Sequence, residues 1–126
     1  MRLLLDTHAL LWWLEEHPAL SHVAYAAIAD PETTVAVSAA SLWEISTKQN
    51  LGELRPPVDD VVGSLAANRL EALAITPEHA WAAQQLPLHH RDPFDRILVA
   101  QAQLEGLTIV TRDSKIARYQ VAILPA

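Results

Sequence analysis

Residues 89–115 read HHRDPFDRILVAQAQLEGLTIVTRDSK, a stretch that predicts a helix running into a strand. Asp92 has the chemistry of an N-cap, and Pro93 stands at the first helical position, where its missing N–H costs nothing. Asp95 follows the cap by three residues, in capping-box position. Ile97, Leu98, Val99, Ala100, Ala102 and Leu104 are apolar around most of the helix, so it is expected to be largely buried, and Gly106 supplies the residue that ends it. Leu107 to Val110 is a short β-branched run that passes into Thr111-Arg112-Asp113. The unit therefore sets one carboxylate at a helix N-terminus and another at the C-terminal end of a strand, which is where parallel α/β sheets carry their active sites.

The flanking sequence extends this pattern in both directions. Arg2 to Leu5 reads as a short buried strand, with Asp6-Thr7 capping a helix through Trp12, Trp13 and Leu14 that stops before Pro18. Ser21 begins an alanine-rich helix closed by the Asp30-Pro31 turn. Thr34 to Val37 is β-prone, and either Ser38 or Ser41 can cap the helix that carries Leu42-Trp43-Glu44-Ile45 down to Asn50-Leu51-Gly52. Beyond the proline turn at Leu54 to Pro57, an amphipathic helix is expected from about residue 58 to 70, a strand at Leu73 to Ile75, and a helix from Thr76-Pro77-Glu78 to Pro87. Val121 to Leu124 adds an edge strand. The alternation βαα, βαα, βα, βα, β predicts a three-layer α/β/α domain around a parallel sheet of four to five strands. With no repeat, low-complexity tract or linker, residues 1–126 are read as one domain.

Composition excludes several classes of function. The chain has no cysteine, so disulfides and thiolate metal sites are ruled out. No apolar run approaches the ~20 residues of a membrane span, and Leu3-Leu4-Leu5 meets Asp6 too soon for a signal peptide, so the expected location is cytoplasmic. Nine Lys+Arg against fifteen Asp+Glu give a formal charge of −6, which argues against nucleic-acid binding by bulk charge. A local basic rim remains open, because five of the nine basic residues (Arg91, Arg96, Arg112, Lys115, Arg118) fall within 91–118.

Asp6, Glu44, Asp95 and Asp113 each have an ordinary structural explanation. Asp6 and Asp113 are placed as caps, and Ser41-x-x-Glu44 and Asp92-x-x-Asp95 have capping-box spacing. On a parallel sheet, however, all four fall at the C-terminal edge and face one crevice. Such clustering costs Coulomb repulsion that a cation relieves, and an all-oxygen ligand set suits Mg²⁺ or Mn²⁺. The natural chemistry is phosphodiester hydrolysis, with arginines holding the phosphates.

These residues resemble a known family. The strand ending in Asp6, the Trp43-Glu44-Ile45 helix, the segment His90-Arg91-Asp92-Pro93-Phe94-Asp95-Arg96 and the strand end Val110-Thr111-Arg112-Asp113 look like a PIN-domain ribonuclease, with VapC-type toxins as the nearest group. The resemblance covers essentially the whole chain. It implies Asp6, Glu44 and Asp95 as metal-binding catalytic acids, Asp113 as a fourth and more variable member, Mg²⁺ or Mn²⁺ as cofactor, RNA as substrate, a protein antitoxin as partner, and homodimers. Arg91, Arg96, Arg112 and Lys115 are the candidate phosphate contacts. Asp92 is read chiefly as the cap that fixes Asp95. Thr7, Ser38 and Thr111 have hydroxyls that either orient carboxylates or simply cap and turn. His8, His89 and His90 are left out of the site, since no zinc spacing supports them. Trp12, Trp13, Trp43 and Trp81 are assigned to core or interface rather than to base stacking.

Three other readings compete. A receiver domain requires paired acids after the first strand, where this chain has Asp6-Thr7-His8. A haloacid-dehalogenase-type phosphatase requires a second aspartate at the place of His8. A catalytically idle PIN-like binding module is compatible with the sequence, and a cleavage assay separates it.

Overall fold

A computed structural model describes residues 1–126. Its five strands are β1 (Arg2–Leu5), β2 (Thr34–Ser38), β3 (Glu71–Leu73), β4 (Thr108–Thr111) and β5 (Ala122–Pro125). They pair in the order β3-β2-β1-β4-β5, and every pairing is parallel. Six helices connect them: α1 (Thr7–Leu14), α2 (His22–Ala29), α3 (Ala39–Asn50), α4 (Val61–Ala67), α5 (Pro77–Gln85) and α6 (Pro93–Glu105). No helix is long and apolar enough to cross a membrane.

The strands sort their side chains by the two-residue period of extended backbone. Leu3, Leu5, Val35, Val37 and Val110 face one way and pack with Ala9, Leu10, Ala24, Ile28, Ile45 and Leu65 from the helices. Leu4, Ala36 and Ile109 face the other way, onto Leu98, Val99 and Ala102 of α6. A sheet with apolar side chains on both faces must be covered on both, which is why the central strands read as unbroken hydrophobic runs and the fold has three layers.

Both ends of α6 hold where they were expected. Asp92 Oδ1 accepts the N–H groups of Phe94 and Asp95, and Gly106 ends α6 in the left-handed conformation at φ +68°. Ser38, not Ser41, caps α3. Two expectations need correction. The third strand is followed by two helices and β4 only by a 3₁₀ turn, Ile116–Arg118, so no strand separates α5 from α6. The third strand also lies at Glu71–Leu73 rather than 73–75; a three-residue edge strand with its first two residues exposed leaves too little alternation to fix its register.

The chain runs from β1 outward to β2 and β3, then crosses back to place β4 on the other side of β1. Connections leaving β1 and β4 diverge, so a crevice opens above their C-terminal ends.

Candidate metal centre

The crevice encloses about 460 Å³, and Asp6, Glu44, Asp92, Asp95 and Asp113 all line it. All four acids singled out in the sequence are therefore brought together, with Asp92 as a fifth. Each arrives by a local rule. Asp6 is the first residue after β1, Asp113 follows β4 by two residues, Glu44 is on the buried face of α3, and Asp95 is in the first turn of α6.

Hydrogen bonds separate capping from the assembly of the site. Asp6 does both: Oδ1 caps α1 through the Ala9 N–H at 2.8 Å, while Oδ2 accepts the Thr111 hydroxyl at 2.5 Å. Asp113 Oδ1 accepts the Lys115 N–H at 2.8 Å, leaving Oδ2 directed at the crevice side of His90. Glu44 closes no capping box; its Oε1 accepts the Thr7 hydroxyl at 2.6 Å and its Oε2 the Lys48 ammonium at 2.7 Å. Asp95 closes none either, because the Asp92 N–H that it would satisfy donates instead to His90 Nδ1 at 3.2 Å. Capping thus accounts for neither Glu44 nor Asp95. Thr7 and Thr111 orient carboxylates, whereas Ser38 only caps.

His90 was set aside on sequence grounds, and its position corrects that reading. Its Nε2 lies 2.8 Å from Asp113 Oδ2 and 3.0 Å from Asp95 Oδ2. Because Nδ1 accepts the Asp92 N–H, Nε2 carries the proton, and the ring donates it to Asp113, with Asp95 alongside. Its backbone is fixed by buried groups: the N–H donates to the Tyr119 hydroxyl and the carbonyl accepts from Arg96. The signal lay in the run His90-x-Asp92, but its target, Asp113, is 23 residues away and only the fold brings it near.

Electrostatics follow the geometry. Burial raises the Asp6 carboxyl above the ordinary aspartate range, and the bonds from Thr111 and Ala9 partly offset it. Asp95 is pushed up to about 7, first by burial and then by the charge of Asp92, with His90 opposing and Glu44 and Asp6 adding to the rise. Burial also acts to raise Asp113, but hydrogen bonds from the Lys115 N–H and from His90 outweigh it and leave the acid below its usual value. Lys48 is raised, chiefly by its hydrogen bond to Glu44. The donor set fits a hard divalent cation: several carboxylate oxygens converge, Lys48 and His90 offset only part of their mutual repulsion, and the nearby imidazole presents a proton rather than a lone pair.

The four candidate phosphate contacts fare differently. Arg96 is buried, and its guanidinium is spent on the carbonyls of Ala83 (2.8 Å), Leu86 (3.2 Å), Pro87 (3.2 Å) and His90 (3.1 Å) and on the Tyr119 hydroxyl. It pins the loop that delivers His90 and does not reach the crevice. Arg112 does line the crevice, with its guanidinium 4.6 Å over the Trp12 ring and bonded to the carbonyls of Ala19 and Ala126. Arg91 and Lys115 are exposed outside the lining. Lys48, which the sequence reading passed over, is inside it. Trp43 and Trp81 are 63% and 76% exposed, so neither belongs to the core.

A parallel sheet with helices on both faces, and five carboxylates gathered where its central strands end, defines an α/β protein with an acidic crevice at the sheet's C-terminal edge. The PIN domain model matches residues 3–122, and the chain belongs to the PIN-domain family. It is 33% identical over 120 residues to Ribonuclease VapC22 of Mycobacterium tuberculosis, covering 93% of this chain and 91% of that protein. Among solved structures it is similar to VapBC2 from Rickettsia felis bound to a promoter DNA fragment, with a TM-score of 0.69 at 18% identity over 98% of each chain. DNA-bound VapBC from Salmonella typhimurium also gives 0.69, at 17% identity over 98% of this chain and 97% of that one. At these identities the structural likeness concerns the fold.

Proposed function

We propose that this chain is a metal-dependent endoribonuclease, the toxin of a type II toxin–antitoxin pair that acts in the cytoplasm as a homodimer and is neutralised by a protein antitoxin. The observation that carries the enzymatic part is the convergence of Asp6, Glu44, Asp95 and Asp113 from four separate segments on one crevice, two of them with no capping role. Kinship with a ribonuclease over nearly the whole chain supports RNA as the substrate, and likeness to toxin–antitoxin assemblies supports the antitoxin.

Asp6, Glu44, Asp95 and Asp113 would hold Mg²⁺ or Mn²⁺. The ion, when bound, supplies a polarised phosphate and a water of lowered pKa. The remaining work falls to the chain. Thr111 and Thr7 fix the rotamers of Asp6 and Glu44 by donating to one oxygen of each, while the second oxygen of Asp6 caps α1 and that of Glu44 pairs with Lys48. His90 keeps Asp113, the most exposed of the four, drawn toward Asp95. Such preorganisation lowers the cost of collecting charge at the moment the cation binds.

The test is incubation of purified protein with total RNA in Mg²⁺ or Mn²⁺, and again in EDTA. Metal-dependent fragments, abolished by co-purified antitoxin, are the expected result. Intact RNA under every metal condition would leave an idle PIN-like binding module as the better reading.

A further inference from the structure

Five carboxylates line the crevice, so one divalent ion balances two of their charges and two ions balance four, before an anionic strand arrives. Phosphate binding therefore needs a protein cation. Arg96 is buried beneath the end of α5 and the loop that follows it, Arg112 is committed to two carbonyls and the Trp12 face, and Arg91 and Lys115 stand outside the lining. Lys48 is the basic side chain that lines the crevice with no backbone acceptor: its Nζ is 2.7 Å from Glu44 Oε2, and its side chain is 41% exposed.

As the i+4 partner of Glu44 on α3, Lys48 could be an ordinary helix-surface ion pair, which contributes little to stability. Two features argue for more. Its partner is one of the acids expected to turn toward the cation, and Glu44 has a second support in the Thr7 hydroxyl at 2.6 Å, so the acid keeps its place when the ammonium leaves.

We propose that Lys48 is a substrate-binding residue whose ammonium takes a non-bridging oxygen of the RNA phosphate beside the carboxylates, exchanging Glu44 for the phosphate when the cation binds. This rests on the ribonuclease reading above. The ammonium thus opposes metal binding and favours RNA, and those two signs are separately measurable.

The experiment compares the whole chain with Lys48→Met and Lys48→Arg. Mn²⁺ affinity is read from the free-ion electron paramagnetic resonance signal and from the melting shift. RNA affinity is read by fluorescence anisotropy of a labelled single-stranded RNA in Ca²⁺ across a salt series. Lys48→Met is expected to bind Mn²⁺ several-fold more tightly, because a positive charge has left a cation site. The same variant should bind RNA about tenfold more weakly, as expected for loss of a hydrogen bond between charged groups. Its salt slope should be shallower by about 0.7, one single-strand phosphate contact. Lys48→Arg keeps the charge and most of the RNA affinity. A lysine that merely props Glu44 gives the opposite sign, with Mn²⁺ bound more weakly by Lys48→Met. That result, or an unchanged RNA affinity and salt slope, overturns the assignment and leaves the ribonuclease reading standing. A wild-type chain that neither binds nor cleaves RNA overturns both.

Discussion

Replacing Asp95 by Asn separates a shared cation site from a set of helix caps, because the two accounts give opposite signs in metal-free buffer. Asp95 is held at about 7 against an ordinary 3.8, by burial and by the charges of Asp92, Glu44 and Asp6. A carboxyl raised on folding contributes its stability below the unfolded value and loses it as pH rises through the folded one. The wild-type fold is therefore expected to weaken between about pH 4 and 7 and to level off above that range. At 1.36 kcal/mol per unit the full shift is about 4 kcal/mol, and since neighbouring acids share it, about 2–4 kcal/mol belongs to Asp95. Asparagine removes that penalty and forfeits about 0.3–1 kcal/mol of favourable charge at the α6 N-terminus. In EDTA at pH 8 the variant should thus be more stable by roughly 1–3 kcal/mol, a rise of about 4–11 °C for a chain of this size. At pH 5, about one unit above the ordinary value, roughly a third of the penalty remains, so the advantage should shrink to about 1 kcal/mol or less. Metal reverses the order: an ion bound only by the folded state adds roughly 2.7 kcal/mol at a hundredfold excess over Kd, and the variant should lose most of that gain. The assay is thermal melting of both proteins at pH 5 and 8, in EDTA and across a Mn²⁺ titration. A variant less stable in EDTA at pH 8, with a metal response parallel to wild type, would refute the reasoning.

Glu44→Gln should fold normally and abolish metal-dependent RNA cleavage, whereas Asp113→Asn should be milder; a Glu44→Gln protein cleaving at the wild-type rate in saturating Mn²⁺ would remove that acid from the site. Thr111→Val deletes the 2.5 Å bond to Asp6 that partly offsets the effect of burial, so the acid limb of the pH–rate profile should move upward, and an unmoved limb would mean the hydroxyl only fills space. Arg96→Met should cost about 3 kcal/mol or more in urea unfolding by leaving several buried carbonyls unpaired, with an unaltered salt slope for RNA binding; a shallower slope would return Arg96 to the phosphate contacts.

Much of the fold was legible because its signals are local. Asp92, Pro93 and Gly106 bound α6 by capping chemistry that needs no tertiary partner, and Leu3-Leu4-Leu5 is a run that only a doubly covered strand uses. The convergence of the four acids followed from parallel topology alone. The misreadings concern residues whose role depends on a distant surface. α6 is apolar around most of its circumference, so no periodicity showed that Arg96 shares the buried face of Val99 and Ala100. His90 acquires its function only when the loop after α5 meets the turn after β4. Lys48 was accessible in principle, since Glu44 and Lys48 have i,i+4 spacing and the acid was already a candidate. Glu71–Leu73 carries too few residues for pattern to place it.

The most direct measurement is the amount of Mn²⁺ bound by the purified chain, read from the free-ion electron paramagnetic resonance signal, in wild type and in the single variants Asp6→Asn, Glu44→Gln and Asp95→Asn. One shared site requires wild type to take up the ion and each variant, though altered in a different segment of the chain, to lose affinity by about tenfold or more. Variants that bind Mn²⁺ as wild type does, or a wild-type chain that leaves the ion free, would contradict it.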